Sequence, residues 1–403
     1  MTQTIATITS RRITRHSFCA ITICFCAALV EPAAGAPAIT PGELVAPQLE
    51  ISGGTLKFTV KPSVLGRSYQ LQQSDSMESD TWQGKGGVMT GTGNNLMMTA
   101  PYQASIKSGF FRLALDGGFL EPTGFELIPA GDFQMGDQST AKVGFADELP
   151  VRTVKMSAFR MGKYEVTTEL WESVRSWGTT RGYTDLPTGI GAAGLKGIYH
   201  PVHSISWYAA VKWCNARSEK DGLVPCYTIA TIICRSGANV PECNWAANGY
   251  RLPSEAEWEK AARGGAISKN FPLGDTITHA QANYYSSAAA GYDVSTTRGY
   301  HPTYQVGSEP YSSSIGSFQP NGYGLYDMAG NMFEWNWDRY GAYATDIAQD
   351  PTGGTTGAYR VFRGGSWGAL GSQCRVAFRY GNLPNNPNNG IGFRVARSVD
   401  SEE

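Results

Sequence analysis

The sequence predicts an α+β chain whose larger part has little regular secondary structure, preceded by a small all-β domain. Three observations carry that expectation. Residues 318–338 (FQPNGYGLYDMAGNMFEWNWD) and 360–398 mix Gly, Asn, Trp, Tyr, Arg and acids without a sustained apolar period of either 3.6 or 2.0. Three stretches upstream carry helix start and stop signals. Residues 45–116 alternate like short strands punctuated by Gly and Ser.

Taken in order, the chain opens with Arg11, Arg12 and Arg15 before an apolar run from Phe18 to Val30 and small residues around Ala33 to Ala38. That is the order of a secretory signal, expected over residues 1–36, and the run is short for a membrane span. The expected locale is therefore secreted or periplasmic, with no transmembrane segment after the signal is removed. Next come TLKFTV, SYQLQQS, NLMMTA and FFRLAL, read as a β-sandwich-like unit over 45–116 with no catalytic spacing. DGGFLEPTG from Asp116 is the linker to a domain over 120–398.

That domain begins with strand-like GFELIPAGDFQMGD and VKMSAFRMGKYEVT. A first helix is expected after a Thr167 or Thr168 cap, with Leu170, Trp171 and Val174 inward and Gly178 as its stop. A second starts at the Ser206 cap and turns Trp207, Ala210, Val211 and Cys214 to one face. The third has Ser254 and Glu257 as a capping box and Gly264 as its stop.

Composition excludes some classes. Lys plus Arg (33) nearly balances Asp plus Glu (34), so no basic field attracts nucleic acid. Apolar residues make up 41% of the chain, enough for a core. Beyond the signal the cysteines are Cys214, Cys226, Cys234, Cys243 and Cys374, an odd number, so in an oxidising compartment at least one thiol is free, metal-bound or paired between chains. Cys226 and Cys243 could staple a hairpin, with Cys234 an equal competitor. His200 and His203 read as surface or packing residues. The five histidines give no facial triad for iron.

GFELIPAGDFQMG, KYEVTTELW, PVHSISW, GYRLPSEAEWEKAARGG, NGYGLYDMAGNMFEW, RGGSW and GIGFRVAR follow one another in this order. The series resembles the formylglycine-generating enzyme (sulfatase-modifying factor) family from about 124 to 397. The resemblance implies a formylglycine-generating-enzyme-like, C-type-lectin-like core. It also implies a calcium site at the side chains of Asp327 and Glu334 and the backbone oxygens of Gly330 and Met332, in a bent loop suited to a hard cation. The same acids could instead cap turns or pair with arginine. A second calcium site would use Asn283 and Tyr284, with Glu309 and Tyr311 as the nearest match for its other half.

For chemistry, the resemblance implies two thiolates after the GGS segment that bind Cu(I) and activate O₂. Here the second position is Cys374 and the first is Ala369, so one thiolate is missing. Ser366 matches a substrate-contacting serine, Trp367 follows it, and Phe333 stands where the family's groove has tryptophan. Cys374 is thus the catalytic candidate, with a buried small side chain as the plainer alternative. Arg363, Arg375, Arg379 and Arg394 are expected to tie loops to carboxylates. Two functions stand side by side: an oxidase converting a client sulfatase cysteine to formylglycine, and a non-catalytic module presenting the surface from Trp367 to Asn389 to a protein, peptide or glycan.

Overall fold

The computed structural model describes residues 124–399 apart from 140–142, 190–198 and 344–346, and the strand backbones between 48 and 116. The signal segment lies outside the described residues. Two compact units divide at 121/122. In the first, 48–52, 55–60 and 96–101 form an antiparallel sheet, and Ser68–Ser74 pairs along its length with Phe110–Asp116.

The second unit is closed by its own ends. Phe125–Ile128 and Ala396–Ser398 both pair antiparallel with Phe159–Gly162, one on each side. Helix α1 spans Thr168–Thr179, and the Thr167 hydroxyl caps it by accepting from Leu170 N–H at 3.2 Å. Gly178 was expected to stop this helix but lies within its last turn, with Thr180 as the C-cap. Past the cap the Gly178 carbonyl accepts from the Arg181 and Tyr183 amides, and positive φ falls at Gly182 (91°) instead. Helix α2 (Trp207–Lys220) starts at Ser206, and α3 (Glu255–Arg263) has the Ser254/Glu257 capping box and left-handed Gly264.

Helices α1 and α2 carry the main apolar core. Trp171 and Trp213 stack with planes 2° apart and centroids 5.8 Å apart, and Phe393 meets both edge-on. Buried rings of this size dominate core energetics. Opposite them lies a four-stranded sheet in the order 380–382, 360–363, 333–339, 391–392. The long strand Phe333–Arg339 alternates its faces. Trp335 joins the apolar core, while Glu334 and Asp338 meet α3 through Trp258 and the Glu255 amide.

Arginines do tie the loops to carboxylates. Arg363 meets Glu255 and Glu259, Arg375 meets Glu148, Arg379 meets Glu255, and Arg394 meets Glu334, all with buried partners. His200 and His203 are not on the surface: both are buried, against the Ser312 and Ser204 hydroxyls. Thr168 needs the His200 carbonyl as a partner, and that draws the segment before Ser206 inward.

Candidate functional site

The loop from Tyr326 to Glu334 is held open by backbone that few residues accept. Asp327, Gly330 and Asn331 have φ of 56°, 78° and 61°. At Gly330 a β-carbon would collide with the Asn283 carbonyl, so glycine is required for the two segments to touch. Asn331 is the hub. Its amide donates to the Asn283 carbonyl (2.7 Å), its side-chain NH₂ to Glu165 (2.6 Å), and its side-chain oxygen accepts from Ser313 N–H and O–H. Its own carbonyl accepts from Trp367 N–H at 2.8 Å, which joins the GGSW segment to the same hub.

Below this hub are three buried carboxylates and one guanidinium. Glu334 takes Arg394 on both oxygens and Trp258 Nε1–H at 2.7 Å. Glu165 accepts the Met332 amide at 3.0 Å besides Asn331. Asp327 Oδ2 accepts the Gly316 amide at 2.7 Å, while its Oδ1 is buried with no hydrogen-bond partner among the described residues. Burial, only partly offset by the Gly316 amide and Arg394, pushes the Asp327 pKa up to about 6. Burial and then Asp327 and Glu334 drive that of Glu165 well above the carboxylate range. Excess buried negative charge is costly unless a proton or a cation neutralises it.

Those residues fit a hard cation in two respects, the orphaned Asp327 oxygen and the surplus of carboxylates over arginine. They fit less well in two others: both Glu334 oxygens already serve Arg394, and no three His, Cys, Asp or Glu side chains among the described residues are grouped so as to hold a metal ion. The sequence reading missed Glu165, which is four tenths of the chain away from Asn331; only its place inside the KYEVT motif could have flagged it. Of the second expected cation site, Asn283 and Tyr311 do come together, with Asn283 Nδ2 donating to the Tyr311 carbonyl at 2.8 Å and its Oδ1 left without a partner. The Tyr284 carbonyl instead accepts His279 Nε2–H at 3.1 Å, and Glu309 is exposed.

The copper donor set does not fit. Cys374 is fully buried, packed with Ala369, Ile277 and Tyr284, and Gly365 lies so close to its sulfur that a β-carbon there would collide with it. Burial, and then Asp293, pushes its thiol pKa up, against thiolate formation. The other four described cysteines belong to the α1–α2 core or pack against it. One thiol cannot supply the paired soft ligation that Cu(I) requires.

Of the expected substrate contacts, Ser366 and Trp367 are buried and Phe333 is half-buried against Phe362 and Phe378. Trp367 Nε1–H donates to the Asn389 carbonyl at 3.3 Å, so it underlies the asparagine loop. Around it lie Tyr300, at 5.7 Å, and Tyr311, at 5.4 Å between centroids, and Tyr285 packs edge-on against Tyr300. Tyr285 also pairs through its backbone with exposed Leu370.

Fold and site thus define an α+β scaffold closed by its ends, with an aromatic core around α1 and α2 and a loop-built, charge-braced region that includes α3. Residues 120–399 match the sulfatase-modifying factor enzyme 1-like domain, and the chain belongs to that family. It is 31% identical to the formylglycine-generating enzyme of Thermomonospora curvata over 68% of this chain and 93% of that one. It is 30% identical to the chaperone protein LppX of Paenibacillus barcinonensis over 68% and 88%. Among solved structures, Treponema denticola variable protein 1 is similar at 30% identity and a TM-score of 0.53, covering 68% of this chain and 95% of that one.

Proposed function

We propose that this chain is an exported member of the family that does not oxidise cysteine and instead works as a binding module for a polypeptide partner. The observation that carries the reading is Cys374: it is buried, burial pushes its thiol pKa up, no other described cysteine packs beside it, and its partner position is the methyl of Ala369. The export half rests on the signal-like N-terminal order, and no helix among the described residues is long and apolar enough to cross a membrane.

The loops around Trp367, partly buried and partly exposed, are rich in Tyr, Ser, Gly and Asn. Segments 281–292, 299–315, 366–373 and 380–393 contain one carboxylate, Glu309, and no Lys or Arg, in a chain that is 17% charged. Depletion of charge with enrichment in Tyr and Trp marks the core of protein interfaces, and Ser, Gly and Asn add adaptable hydrogen bonding. The relatives named as formylglycine-generating enzymes suggest a sulfatase-like polypeptide as one class of partner.

Calcium belongs to the same reading as a brace. Asp327 and Glu334 with the Gly330 and Met332 carbonyls would hold one ion, and Asn283 and Tyr284 would contribute to a second. Such an ion supplies charge neutralisation, and no reaction step depends on it. The chain's own residues do the positioning: Asn331 fixes the GGSW segment, and Trp367 supports the asparagine loop.

The test is to incubate the purified chain with Cu(I), O₂ and a CxPxR peptide and to weigh the peptide. An unchanged mass is expected. Conversion of the peptide cysteine to an aldehyde, abolished in Cys374→Ala, would overturn the proposal.

A further inference from the structure

A cavity of about 420 Å³ opens where the 157–158 turn, the start of α3 and the last strand meet, and its size is that of a small-molecule site. None of its lining residues belongs to segments 281–292, 299–315, 366–373 or 380–393. Met156, Phe159 and Trp245 give it an apolar wall, and Ser157, Thr352 and Ser398 give it hydroxyls. Its charged lining residues are Arg251, Glu257 and Asp350.

The lining is held in place by the chain itself. The Ser398 hydroxyl donates to the Trp245 carbonyl at 2.7 Å, and Trp337 meets the half-buried Trp245 ring edge-on at 6.1 Å. Arg251 lies 4.6 Å over that ring, fixed by both Glu257 oxygens at 2.6 and 2.7 Å. Asp350 sits in left-handed backbone (φ 43°), and its two oxygens accept the Ser157 N–H at 2.6 Å and O–H at 2.8 Å. Groups already ordered lose little freedom when a ligand arrives.

That lining discriminates between ligand classes. Arg251 and Glu257 neutralise each other, so no lining cation is left over for an anionic ligand. The guanidinium on Trp245 disfavours a second cation at the same ring. An alkyl chain would desolvate Asp350 and the hydroxyls without pairing them. A neutral polyol avoids all three costs: its hydroxyls donate to the carboxylate and to the serine and threonine oxygens, and its C–H face packs on the indole. We propose that this cavity binds a neutral sugar of one or two rings, seated on Trp245 and held through Asp350, Ser398 and Thr352. Sugar binding here is independent of any polypeptide held by the loops around Trp367.

The probes are the methyl glycosides of glucose, galactose and mannose, with maltose and cellobiose, titrated into the full chain by saturation-transfer NMR beside choline and acetate. Saturable millimolar binding of at least one sugar is expected, and of neither ion. Thr352→Val, a half-buried and nearly isosteric change, should weaken that sugar by about five-fold, the worth of one net hydrogen bond, without altering the melting temperature. Trp245→Leu should abolish the signal, with its folding checked by near-ultraviolet circular dichroism. Tyr300→Leu should leave sugar binding as it was. Failure of every sugar to saturate would overturn the proposal, as would sugar binding that survives both Thr352→Val and Trp245→Leu. Displacement of the sugar by choline or acetate would make the cavity an ion site instead, and loss of sugar binding in Tyr300→Leu would move it to the other loops; either result also ends the proposal.

Discussion

The α1–α2 side and the face built from residues 281–397 hold together by different physics. The first is an aromatic core in which Trp171, Trp213 and Phe393 contact one another and indole N–H groups find backbone carbonyls, as Trp213 does with Trp171 at 3.1 Å. The second has few long apolar runs, and its order comes from single side chains that each satisfy several backbone groups, Asn331 above all. The first tolerates change of sequence if volume is kept. The second depends on atoms with directions, and losing one leaves a buried polar group unmet.

The largest expected effect follows from that contrast. Arg394→Met should destabilise the second unit by about 3–5 kcal/mol, because it strands Glu334 beside Glu165 and Asp327. Urea unfolding followed at tryptophan checks it; a change below about 1 kcal/mol would mean that protons or an ion already carry the charge. Trp213→Phe, which keeps most of the ring volume, should cost less and so sharpen the comparison.

Chelation comes next. Removing calcium should lower stability by about 2–3 kcal/mol if the ion was present at a hundredfold excess over its dissociation constant. The loss should be greater at pH 7.5 than at pH 5. The sign follows from Asp327: its folded pKa is raised to about 6, so in the ion-free protein its contribution is fully present below its ordinary value near 4 and is lost as pH rises through 6. Differential scanning fluorimetry with and without chelator at the two pH values tests both parts; equal melting temperatures at both would remove the ion.

Asp338 offers a metal-independent version. It accepts the Glu255 amide at 2.8 Å, and burial and then Glu255 push its pKa up to about 7. Its protonation therefore stabilises the fold below about pH 4, and that stabilisation is lost as pH rises through 7. Asp338→Asn keeps an acceptor for the amide and should flatten the fall in stability between pH 5 and pH 8. A wild-type slope surviving in the variant would place its origin elsewhere. Smallest of all, Ser254→Ala removes one α3 cap and should cost about 1 kcal/mol in the same urea assay.

What could be read in the sequence divides along the same line. The caps at Thr167, Ser206 and Ser254 and the stop at Gly264 were legible because each is a local bargain between neighbouring residues. The arginine-to-carboxylate ties were legible as a type, since buried arginines need acids, but their partners were not. Arg394 and Glu334 are 60 residues apart, and Arg375 and Glu148 are 227 apart. Glu165 escaped for the same reason: nothing near it in sequence says that Asn331 and Met332 will lean on it. Gly178 misled because a glycine near a helix end need not be the residue that turns left-handed. The missing thiolate at Ala369 was legible only through the family resemblance, whereas the burial of Cys374 beneath Gly365 needed the fold.

The central claim, that this scaffold has no copper-gripping thiol pair, is tested most directly by Cu(I) competition. The full chain, Cys374→Ala and Ala369→Cys are each titrated against a chromophoric Cu(I) chelator under argon. The natural chain and Cys374→Ala are expected to leave the copper with the chelator equally. One equivalent of Cu(I) held by the natural chain and released by Cys374→Ala would contradict it.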